Sequence, residues 1–116
     1  MKHIYISALC FAFICVYTIF DFNYIQNFTS DMENSIKLSD LQGYNVSDID
    51  LIFENISEKE TALNFMINKE HLDLMKEYLT NLKFAINYSD KQNILIYRDL
   101  FLQIINNIKQ ENISPL

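Results

Sequence analysis

The sequence is poor in residues that punctuate a chain: one glycine, one proline and no tryptophan in 116 residues. So few turn formers exclude a meander of short strands, and no glycine-rich loop exists to cradle a phosphate. Cysteine is nearly absent as well. Cys10 and Cys15 stand five residues apart inside an uncharged run, a spacing that fits neither a CxxC redox pair nor a zinc knuckle. They read as small apolar filler, which leaves the rest of the chain without a disulfide and dependent on packing. Histidine is limited to His3 and His71, and no serine or cysteine nucleophile motif accompanies either. The sequence predicts no enzyme, no catalytic residue and no cofactor.

Basic residues are missing over a long stretch, with none between Lys2 and Lys37. That stretch contains IYISALCFAFICVYTIF, Ile4 to Phe20, seventeen residues without a charge. As a helix it measures about 25 Å at 1.5 Å per residue, against a hydrocarbon core of about 30 Å. Phe22 and Tyr24 extend it with aromatics suited to a membrane interface. The following DFNYIQNFTS offers no pair of small residues for signal cleavage. Leu9 and Ile14, ahead of the two cysteines, fit no lipoprotein box. The run therefore reads as an uncleaved anchor in the lipid bilayer, with a cleaved leader as the alternative. Lys2 and the amino terminus precede it, which places the N-terminus in the cytoplasm and all that follows outside the cell membrane. The exported part carries eight basic against fifteen acidic residues. That balance argues against nucleic acid or anionic lipid headgroups as partners.

The expected fold class is all-α: an N-terminal transmembrane helix followed by a small antiparallel bundle, a hairpin plus a covering helix. Residues 1–24 form the anchor, 25–46 a short helix and linker, and 47–116 the extracytoplasmic bundle. In the linker, Ser30 and Glu33 have capping-box spacing, and Gly43 suits a helix C-cap. Ser47 to Asn87 reads as helical with one joint near Asn55 to Ser57, where Ser57 and Glu60 repeat the capping-box spacing. Ser47 or Asn45 serves as its cap. Periodicity sharpens after that. Leu72, Met75, Leu79, Leu82 and Ile86 follow a 3-4-3-4 spacing, as do Ile94, Tyr97, Phe101, Ile104 and Ile108. Between them lies NYSD, with Ser89 and Gln92 again at capping-box spacing. So short a link makes antiparallel neighbours of two helices, and these ten residues form the expected packing seam. Ile86 should meet Ile94 near the loop, and Leu72 should meet Ile108 at the far end. Leu95, Leu100, Leu102 and Ile105 widen the apolar arc of the last helix. Ile49, Ile52, Ile56, Leu63 and Phe65 to Ile67 supply a helix to cover them.

The best candidate for polar chemistry is Glu70, His71, Asp73 and Glu77. The three carboxylates fall at i, i+3 and i+7 on one helical face, while His71 projects about 100° away. A zinc site needs further ligands, and a calcium site needs a wrapping loop that the sequence lacks. His71, Asp73 and Glu77 are thus weak metal candidates, and a solvated face exchanging charge with Lys76 and Lys83 is the expected role. Sequons occur at Asn27, Asn45, Asn55, Asn87 and Asn112. Used, they would mark a glycosylated surface protein of a eukaryotic parasite or virus. A chain rich in Asn and Ile also generates them by chance.

The tail HLDLMKEYLTNLKFAINYSDKQNILIYRDLFLQIINNIKQENISPL resembles the C-terminal half of an uncharacterised family of short membrane-tethered helical proteins from spore-forming, low-GC bacteria. The likeness rests on His71 with Asp73, on the paired stripes, and on Ile108, Glu111, Ile113 and Ser114 at the end. Members carry tryptophans in the middle helix, and this chain has none. The resemblance implies a fold and a place in the envelope, but no mechanism. The functional expectation is a single-pass, membrane-anchored structural or adaptor protein acting on an envelope protein partner. The alternatives are the glycosylated surface protein and, third, a metal or small-ligand sensor built on Glu70, His71, Asp73 and Glu77.

Overall fold

The computed structural model describes residues 22–37 and 46–111. All regular structure among them is helical: α1 (22–37), α2 (Val46–Leu63), α3 (Lys69–Asn87) and α4 (Lys91–Glu111). The expected span Ile4 to Phe20 and the expected cap Gly43 lie outside the described residues. Among the described residues no helix is long and apolar enough to cross a membrane.

Helix α1 is a member of the core. Ile25, Phe28, Met32 and Ile36 are buried, and their 3-4-4 spacing keeps them on one face of the helix. The capping-box pair therefore marks no boundary, because the helix runs through Ser30. Breaking it there would take Met32 and Ile36 out of line with Ile25 and Phe28. Thr29 is fully buried, and its hydroxyl donates to the Ile25 carbonyl at 2.9 Å. That bond satisfies a polar group which would otherwise be costly inside a core.

Helix α2 buries Ile49, Ile52, Ile56 and Leu63. It passes through Ser57 without a joint; the break falls at residues 64–68. There the backbone tightens, with Phe65 N–H donating to Ala62 O at 3.2 Å and Met66 N–H to Leu63 O at 3.0 Å. These i→i−3 bonds wind down the last turn. The side chain of Asn68 then accepts from Glu70 N–H at 3.1 Å and caps α3. Packing decides the location: Ile56 and Leu63 are both 0% exposed, and a break between them would expose at least one.

The α3–α4 link is a Schellman-type stop followed by an aspartate cap. Ser89 adopts φ 53°, Ser89 N–H donates to Ile86 O, and Asp90 N–H donates to Ala85 O at 2.9 Å. Glycine is usual at this left-handed position, and serine holds it at some steric cost. Asp90, one residue past Ser89, starts α4: its carboxylate accepts from Asn93 N–H at 3.2 Å and from the Asn93 side chain at 2.6 Å. Aspartate outranks a serine already committed to the turn, so the N-cap falls on Asp90.

The two helices run antiparallel, since His71 at the start of α3 reaches Glu111 at the end of α4. Leu72, Met75, Leu79, Leu82, Phe101, Ile104 and Ile108 are buried in one cluster, with Ile86, Ile94 and Tyr97 partly buried against it. The rings of Tyr78 and Tyr97 stand 6.5 Å apart and tilted, a favourable aromatic separation. On its other side α3 packs against α2. Helix α1 bridges α4, through Glu33 and Lys109, and α2, where Lys59 lies 5.9 Å from the Phe28 ring centroid. The order around the core is thus α1, α2, α3, α4. Two helices cover the hairpin where the sequence suggested one.

Candidate functional site

The cluster of Glu70, His71, Asp73 and Glu77 separates in space. At about 100° per residue, His71 falls on the side of α3 that faces α4, and the three acids fall on the outward side. His71 Nε2 stands 2.9 Å from Glu111 Oε1. Its other ring nitrogen, Nδ1, is buried and has no partner among the described residues, as is also true of Arg98 Nε. Glu70, Asp73 and Glu77 are exposed. Among the described residues, no group of three or more His, Cys, Asp or Glu side chains stands close enough to share a metal ion.

Several polar side chains tie helices together. Lys76 pairs with Glu60 at 2.6 Å and Lys83 with Asp50 at 2.9 Å, both across α2 and α3. The two pairs, seven residues apart on α3 and ten on α2, help to fix the register of that contact. Glu33 accepts from Lys109 of α4 and from Lys37 one turn along α1. The Lys109 bond, with that of Lys37, holds the Glu33 carboxyl at about 2, well below its ordinary value. The Glu33–Lys109 pair links α1 to α4, although both lysines and the glutamate face solvent in part.

One concave feature among the described residues is mostly apolar. A groove of about 430 Å³ runs between α2 and α3, lined by Ile49, Phe53, Leu79, Thr80, Phe84 and Asn87, with Asp50 and Lys83 among its lining residues. Phe84 also borders a second depression of about 270 Å³, beside Asn81, Tyr88, Asp90 and Tyr97. Phe84 is 57% exposed and Tyr88 80% exposed. A phenylalanine standing between two hollows is an odd use of a large apolar side chain, because its burial would stabilise the fold by about 1.5–3 kcal/mol. The sequence held a signal for it. Phe84 lies two residues past Leu82 and off the 3-4-3-4 stripe, where the helix does not need an apolar residue.

Comparison with protein-family models, with curated proteins and with solved structures finds no match.

Proposed function

We propose that the chain is a membrane-anchored adaptor: a helical bundle held at the outer face of a bacterial membrane by residues 4–20, which docks a protein partner. The observation that carries this reading is the exposed Phe84 at the mouth of the apolar α2–α3 groove. Exposed apolar surface joined to a groove is how soluble domains present an interface. Lys76, Lys83 and Lys109 are each used in a bridge between helices, a packing role that leaves binding to the apolar groove. The uncharged run from Ile4 to Phe20 supports the tether, and Lys2 ahead of it supports the orientation. The resemblance of the tail to membrane-tethered proteins of spore-forming bacteria points the same way.

Two measurements test the proposal. Fractionation of bacteria expressing the full chain should place it with the membranes, and protease added to intact spheroplasts should digest the bundle. A photo-reactive residue at Phe84 should cross-link a protein in those cells, and one at Asp99 on exposed α4 should not. Recovery in the cytosol, or equal cross-linking from both positions, overturns the reading.

A further inference from the structure

Helix α3 presents one unpartnered face with a division along it. Glu70, Asp73, Glu77, Asn81, Phe84 and Tyr88 follow one another at i, i+3, i+7, i+11, i+14 and i+18. At 100° per residue they share a strip about 80° wide and about 27 Å long. All but the half-buried Asn81 are exposed. The first three are acidic, the last two are aromatic, Asn81 lies between them, and no basic residue interrupts the strip.

We infer that this face binds an amphipathic helix of a protein partner, one that carries large apolar side chains at one end and lysines or arginines at the other. The inference rests on the adaptor reading and names the class of partner for it. Charge complementarity selects that occupant. The aromatic half supplies the buried anchors that dominate binding energy, and the hollows on both sides of Phe84 accept side chains set around it. The acidic half is positioned to meet cations about two to four helical turns away, which fixes the direction of the incoming helix.

Other occupants fit less well. A second copy has no comparable cationic strip to offer, since Lys37, Lys76, Lys83, Arg98 and Lys109 are engaged with carboxylates of their own chain and Lys59, Lys69 and Lys91 sit on three different helices. Two such faces laid together would set acids against acids, or acids against aromatics. The residues outside the described ones contain a single basic side chain, Lys2, so no such segment matches three carboxylates. An anionic bilayer surface is repelled by them.

A peptide-display selection tests the inference on the full chain, purified in detergent micelles. A random sixteen-residue helical library is panned against it. The expected winners carry two large apolar residues one turn apart and an excess of Lys and Arg displaced along the helix. Their affinity should fall about tenfold or more on Phe84→Asp. In Glu70→Lys/Glu77→Lys, selection should turn to peptides rich in Glu and Asp. Both variants sit on exposed positions, and an unchanged melting curve checks the fold. Failure to enrich, enrichment without charge bias, or winners indifferent to Phe84→Asp overturns the inference. So does a chain that is dimeric through this face in sedimentation. An in-cell cross-link at Phe84 combined with unbiased peptides would leave the adaptor reading standing and remove only the basic, amphipathic partner.

Discussion

The two sides of α3 differ in how completely they close. Toward α4 the contact is a continuous apolar seam with a tight turn at one end and the His71–Glu111 pair at the other. Toward α2 the contact is apolar too, with Ile49, Ile52, Ile56 and Leu63 in the same cluster, but it carries two ion pairs, Lys76–Glu60 and Lys83–Asp50, and leaves a groove. A closed seam stabilises because it removes area from water. Exposed ion pairs contribute little, roughly 0–1 kcal/mol each, but they set register. The difference teaches where this bundle keeps its stability and where it keeps surface open to others.

The sharpest test of that division is a large truncation in the closed part. Phe101 is fully buried, so Phe101→Ala should cost about 3–5 kcal/mol in urea unfolding followed by circular dichroism. Phe84→Ala, on the open side, should change stability by about 0.5 kcal/mol or less. Equal effects would erase the contrast. Next in size is Met32→Ala in α1, expected to cost about 2–5 kcal/mol. A negligible effect would show that α1 does not belong to the core in solution.

Smaller changes address the turn that closes the seam. Asp90→Ala removes the cap of α4 and should cost about 1 kcal/mol. Ser89→Gly relieves the left-handed strain and should raise the melting temperature, by an amount corresponding to about 1 kcal/mol. A fall in stability with glycine would contradict the backbone assigned there.

The ionic ties should give the smallest signals. Glu33 has a folded pKa of about 2 against an ordinary 4.5, with the Lys109 bond first among the causes. A depressed carboxyl contributes stability that is fully present above about pH 5 and is lost as pH falls toward 2. The melting temperature should decline across that window, and Glu33→Gln should flatten part of the decline, worth on the order of 1 kcal/mol or less. A double-mutant cycle on Lys83 and Asp50 should return about 0.2–1 kcal/mol. A larger coupling would mean that the α2 side is no mere register pin.

The hairpin was the legible part of the fold because each helix carries its own long stripe. Leu72 to Leu82 and Phe101 to Ile108 repeat often enough to fix the period, and the three residues between the helices leave no other way to pair them. Helix α1 was hard to see for the opposite reason. Its stripe has only four members, so the sequence offered 25–46 as no more than a short helix and linker beside the bundle. The joint near Ser57 was misplaced because a capping-box spacing is a local pattern that occurs by chance. The burial of Ile56 and Leu63 overrides it.

The candidate site divides in the same manner. The shared face of Glu70, Asp73 and Glu77 follows from helical geometry alone, and so does the separation of His71 from it. The tie from His71 to Glu111 spans forty residues of sequence, and no local pattern announces it. The same holds for Glu33 with Lys109.

What the sequence determined by itself was helix content, the two stripes and the acid on one face of α3. Those are properties of periodicity and composition, which act over a few turns of chain. Only the tertiary structure decided that α1 joins the core, which charges pair across helices, and that Phe84 is left uncovered. Each of those depends on what neighbours a residue meets after the chain has closed on itself, and burial is a property of that meeting.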